Sequence, residues 1–211
     1  KTPAGWRINA SSALNRRITP QTPMRISGPQ AFIDDIRQKM VTRWDTSGAM
    51  SRGTLNNCGS GKTPWGTYLT CEENWLNVVS RGAGDNAKRT PKEVAALNRY
   101  GLPENRKSPY LWDTAGSDDL YARWSSTVTG NTSAEDYRNT ANTFGWVVEI
   151  DPFNAASTPA KRTALARINH EGAWPAPAVA GQPIVIYQGD DARNEYIYKY
   201  VSKALWDPKD V

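Results

Sequence analysis

One histidine, two cysteines, three methionines and three phenylalanines are all that the 211 residues contain of these types. The single His170 excludes a zinc site built on several imidazoles, and His170-Glu171-Gly172 is not the two-histidine helical motif of zinc hydrolases. No glycine-framed serine elbow exists to seat a nucleophile. No apolar run approaches bilayer-spanning length. No secretory leader is visible, and Arg16-Arg17 lacks the apolar stretch a twin-arginine signal needs. Basic runs never exceed pairs such as Lys88-Arg89 and Arg106-Lys107, and acidic residues are interspersed. The net charge of +5 therefore describes a mixed solvated surface rather than a nucleic-acid-binding face. No exact internal repeat is present.

What is there suits a turn-rich β architecture: 16 glycines and 14 prolines, with nine Trp and nine Tyr giving bulk to a lean core of 38% hydrophobic residues. One domain over residues 1–211 is expected at this length. Residues 1–23 lack periodicity and read as an extended arm. Ala31–Arg43 carries Phe32, Ile33, Ile36 and Met40 at helical spacing, fitting a short helix or surface loop. Thr54–Asn57 and Thr67–Glu73 read as strands joined by a Gly/Pro turn. Thr90, Pro91 and Glu93 form a helix start with a capping box, ended by Gly101 and Pro103. Ser133 and Asp136 offer another cap, and residues 79–143 read as a long, partly helical insertion between strands. Gly145–Ile150, Thr163–Ile168, Pro183–Gln188 and Tyr196–Val201 are four further short strands. The predicted class is mainly β. Spacing alone leaves propeller, barrel and sandwich open.

The richest stretch runs from Thr54 to Trp75. Gly59-Ser60-Gly61-Lys62-Thr63 imitates a phosphate-binding loop, but Asn56 stands where a glycine is required and Pro64-Trp65-Gly66 prevents the following helix. A tight turn carrying Cys58 back over the next strand is expected instead. The two cysteines permit a disulfide, a buried Cys71 beside Leu69 on one strand face, or a ligand or reactive thiol at Cys58. Glu72 and Glu73 point to opposite faces of a regular strand, so only one can face a single ion unless the strand ends or bulges there. Glu73 shares the Cys71 face, and Glu72 the Thr70 face. Glu171, at a strand end, is a better ligand than the lone histidine is a catalyst. Asp190-Asp191-Ala192-Arg193 departs from the calcium-loop pattern; it reads either as cation ligands or as a charged turn closed by an internal ion pair.

Asn56-Asn57-Cys58, Thr63-Pro64-Trp65-Gly66-Thr67 and Glu72-Glu73-Asn74 resemble the PhoX-type alkaline phosphatases. Phe144–Pro152, Lys161–Leu165 with His170–Ala173, and Tyr187–Arg193 continue the resemblance in the family's order. It implies a fragment of a β-propeller from the middle of a longer, periplasmic or secreted bacterial enzyme. Such an enzyme hydrolyses phosphate esters with calcium and iron, and the remainder of the propeller completes it. The resemblance implies Cys58 as an iron ligand and Glu72, Glu73, Glu171, Asp190 and Asp191 as metal ligands. Catalysis falls to Cys58, Glu72, Glu73 and Glu171, and substrate binding to Asn57 and Arg193. It also implies that the piece alone is inactive. A non-enzymatic, secreted β-rich binding module on the same scaffold is the other reading.

Overall fold

The computed structural model describes residues 5–209. Among these residues nine strands form two open sheets: β1 (Pro23–Ser27), β2 (Met50–Arg52), β3 (Asn57–Lys62), β4 (Tyr68–Glu72), β5 (Val147–Ile150) and β6 (Ala160–Arg162) in the first, β7 (His170–Pro175), β8 (Pro183–Asp190) and β9 (Ile197–Leu205) in the second. The first sheet has the order β2-β1-β6-β5-β4-β3 and is antiparallel except for the β1–β6 pair; the second is an antiparallel meander. The protein is thus mainly β, and neither sheet closes on itself.

Packing between the sheets buries Leu69, Cys71, Val147, Leu165, Ala173, Ile184 and Ile186. Strand alternation explains the choice: Ile184 and Ile186 face inward on β8 while Tyr187 faces outward. A second core gathers Leu55, Trp75, Val78, Leu97, Trp124 and Phe144. It sits under residues 73–146, which leave the first sheet at β4 and return at its neighbour β5. Within this stretch α3 (Pro91–Arg99) begins with the expected capping box between Thr90 and Glu93, and Gly101 follows it at a φ of 82°. Buried Asp85 binds the stretch together, accepting from Arg81 Nε at 2.6 Å and Arg89 Nε at 2.5 Å.

Several local expectations are corrected. Ala31–Arg43 holds two single-turn helices, α1 (Pro29–Phe32) and α2 (Asp34–Arg37), and a 3-10 turn. No helix starts at Ser133; the short helix α4 (Asp119–Ala122) is capped by Asp118 instead. Asp136 closes a loop by accepting from the N–H groups of Thr129 and Gly130, each at 2.9 Å. Residues 163–168 are not a strand. The pairing segment is β6, just before them, and the chain turns at Thr163–Leu165, where Thr163 Oγ1 donates to Ser27 O at 2.9 Å. Most telling, Gly59-Ser60-Gly61 is not a turn but lies inside β3. A Cβ at Gly59 would stand 1.9 Å from Glu171 O, and one at Gly61 1.9 Å from Ala173 O. These glycines are there because the backbone of β7 crosses β3 at contact distance.

Candidate functional site

The crossing of β3 and β7 brings the strand segment that carries Cys58 against Glu171, and a β-bulge lies at each of the two. Asn57 pairs with Glu72 and Ser60 with Thr70, so Cys58 and Gly59 together oppose Cys71 alone. In the second sheet His170 pairs with Asp190 and Gly172 with Gly189, which leaves Glu171 as the extra residue. A bulge turns its side chain out of the strand's regular alternation. Cys58 and Glu171 are both exposed, and Gly59 packs directly on the carbonyl of Glu171. Sequence reasoning missed both bulges; the paired glycines beside Cys58 were their signal.

Glu73 lies just past the end of β4, where its N–H donates to Asn56 O at 3.2 Å. The strand therefore ends between the two glutamates, and their fates differ. Glu73 is half-buried and lies close enough to the Cys58 thiol and the Asp191 carboxyl for each to act on its titration. Burial and then the Asp191 contact push the Glu73 carboxyl up. The Cys58 thiol is raised as well, first by its hydrogen bond to Glu73, with the Glu171 charge adding. Two carboxyl groups in contact repel once both ionise, and a bound cation removes that penalty.

Glu72 is not brought to this group. It is fully buried on the opposite side of β4, where one oxygen accepts from Gly145 N at 2.9 Å and Trp146 N at 3.0 Å. The other pairs with Lys161 Nζ at 2.8 Å. Cys71 is also out of reach, packed in the core between the sheets, and burial pushes its thiol up to about 12. Both cysteines are free, so no disulfide joins them.

The turn after β8 supplies Asp191, whose N–H donates to Asn169 O at 3.1 Å. Asp190 acts differently. Its Oδ1 accepts from the N–H groups of Asn169 at 3.3 Å and Ala192 at 3.1 Å, so it shapes the turn. Arg193 is exposed and forms no ion pair with described residues; the charged turn is closed by Asp190 rather than by an internal salt bridge. Asn57, at the rim, holds Thr54 Oγ1 at 2.8 Å. His170 is fully buried. Its Nε2 lies 3.2 Å from Ala166 O, its Nδ1 has no hydrogen-bond partner, and burial lowers its imidazole to about 4. It is neutral near pH 7 and faces no solvent.

A thiol beside carboxylates pairs a soft donor, suited to transition metals, with hard donors, suited to cations such as calcium. Among the described residues, no three of His, Cys, Asp or Glu converge on one point with ligand spacing. No helix among the described residues is long and apolar enough to cross a membrane.

Comparison with known proteins points the same way. Curated proteins give no match. Among solved structures, Pseudomonas fluorescens PhoX in complex with vanadate, a transition state analogue, superposes with a TM-score of 0.76 at 38% identity. The match covers 99% of this chain and 32% of that one, so the chain spans about a third of its neighbour's length. A sequence model of the family described as alkaline phosphatase PhoX matches residues 1–210. The chain belongs to the alkaline phosphatase PhoX family.

Proposed function

We propose that this chain forms one wall of the metal centre of a phosphomonoester hydrolase, with Cys58, Glu73, Glu171 and Asp191 as its ligands. One observation carries the reading. The β3–β7 crossing sets Cys58 beside Glu171, residues far apart in sequence, and Glu73 and Asp191 act electrostatically on the same group. In this reading Cys58 serves iron, and the carboxylates serve calcium and iron. Bound there, the cations neutralise phosphoryl oxygens as charge develops on them. The chain's own residues fix where that can happen. The bulges at Cys58 and Glu171 present the donors, and Asp190 holds the turn that carries Asp191. Asn57, beside Cys58, and Arg193, exposed two residues after Asp191, bind the phosphate ester. The two open sheets belong to a propeller completed by further chain, in a periplasmic or secreted protein, and residues 1–211 alone lack part of the coordination shell. Glu72 becomes a structural carboxylate rather than a ligand, and His170 a buried packing residue.

The neighbour's vanadate complex supports a phosphoryl-like ligand for the family's site. The test compares the 211-residue chain with a polypeptide extended to the neighbour's length. The extended protein should carry iron and calcium by elemental analysis, hydrolyse p-nitrophenyl phosphate and be inhibited by vanadate; the shorter chain should turn over little. Cys58→Ser and Glu171→Gln should lower metal content and turnover together, while His170→Asn should leave the metal in place. A metal-free extended protein that binds phosphate esters without turnover would establish a binding module instead.

A further inference from the structure

A wall of aromatic side chains rises beside the candidate site and has no part in the scheme above. It begins in the core with Phe144, only 1% exposed, and Trp124, 2% exposed. It then climbs outward through ring contacts of 5.7 Å from Phe144 to Trp124, 5.2 Å to Trp112 and 5.9 Å to Tyr110. Trp112 and Tyr110 end 36% and 40% exposed. The loop that bears them is anchored. Ser108 Oγ donates to Asn77 O at 2.8 Å, Tyr110 N donates back to Ser108 Oγ at 3.2 Å, and Arg106 donates to Leu76 O at 2.9 Å. Leu111, between the two rings, holds a left-handed φ of 56° that a branched side chain rarely adopts. Non-glycine residues kept in that region cluster at functional sites.

The wall touches the rim through one residue. Tyr110 Oη donates to Asn56 Oδ1 at 3.4 Å, while the same Asn56 donates through Nδ2 to Asn74 O at 2.7 Å and accepts from Glu73 N–H. Asn56 also has a positive φ, 49°. It thus stands between Tyr110 and the segment that carries Cys58 and Glu73.

We propose that Tyr110 and Trp112 are specificity-determining residues that take the aromatic leaving group of an aryl or nucleoside phosphomonoester. The inference rests on the phosphatase reading above. Exposed rings backed by a continuous aromatic stack are a rigid stacking surface, which loses little side-chain freedom on binding. Tyr110 reaches the segment that carries Cys58 and Glu73 through Asn56, so an ester group of a phosphate held there would lie within reach of that surface.

The experiment uses the extended polypeptide and two pairs of probes: phenyl phosphate against glycerol 2-phosphate for turnover, and phenylphosphonate against methylphosphonate for binding. Wild type should prefer the aryl member of each pair. Trp112→Leu and Tyr110→Ala should each reduce that preference about tenfold, through KM rather than kcat. Tyr110→Phe should restore it, because the ring rather than the hydroxyl carries the contact. Melting temperatures identify any variant that fails to fold, and the other then decides. Equal losses on aryl and alkyl probes, or no change in preference, would overturn the proposal. If the protein turns over neither ester but still selects phenylphosphonate in a Trp112-dependent way, the stacking site stands and the hydrolase reading falls.

Discussion

Lys161 and Glu72 form an ion pair of 2.8 Å in which both side chains are completely shielded from solvent. Lys161 also donates to Thr143 O at 2.7 Å and lies 4.1 Å above the Phe144 ring. Burial lowers the lysine's pKa, and the Glu72 charge works against that shift. The pair ties β6 to β4 and to the start of β5, immediately beside the residue that reaches the candidate site.

Breaking one half of this pair should be far worse than removing both. Lys161→Met leaves an uncompensated buried carboxylate and should cost about 3–5 kcal/mol. Combining it with Glu72→Gln should restore much of the loss. Urea unfolding of the two single variants and the double variant measures the coupling. Additive losses would show that the two charges do not depend on each other.

The thiols should separate cleanly by reactivity. Cys58 is exposed, whereas Cys71 is fully buried with its pKa held up at about 12. A thiol-specific reagent should label one cysteine in the native metal-free chain and two in denaturant. Cys58→Ser should abolish the native signal. Cys71→Ser should instead lower stability by about 1–3 kcal/mol, since it places a hydroxyl in an apolar core.

The glycines of β3 should resist any side chain. Gly59→Ala would set a methyl 1.9 Å from Glu171 O, and Gly61→Ala would do the same to Ala173 O. Backbone must move in either case, and a loss of about 1–3 kcal/mol is expected. Gly172 has open space around its missing Cβ, so Gly172→Ala is the control. Thermal melts on all three variants settle the comparison, and equal stability would mean that β3 and β7 do not cross at contact distance.

Acid should weaken the loop built on Asp136. Burial alone would raise this carboxyl, but Arg138 and the N–H groups of Gly130, Arg138 and Thr129 outweigh it and hold it at about 2, against 3.8 for the ordinary group. A carboxyl depressed by folding stabilises the protein above its unfolded pKa and loses that contribution as pH falls through the folded value. The loss therefore falls between about pH 4 and 2, and amounts to about 2 kcal/mol. Asp136→Asn should remove this part of the acid dependence in urea titrations at stepped pH. A variant with the wild-type slope would assign it elsewhere.

The family, the helix at Pro91–Arg99 with its cap, and three of the four late strands are legible in local sequence. Those features are written in short-range chemistry: a hydroxyl three residues before a carboxylate, a proline at the first helical turn, β-branched residues between turn formers. Strand alternation also set Glu72 and Glu73 on opposite faces, but left both open as ligands if the strand ended or bulged there. Long-range packing sets which of them turns toward the rim. That choice depends on Lys161, 89 residues away, and on β4 ending at Glu72, neither of which is visible in local sequence. The glycines beside Cys58 were open to the same ambiguity. A glycine serves a turn or a close crossing equally well, and the backbone of β7 lying against Gly59 and Gly61 made them a strand and brought Glu171 to Cys58.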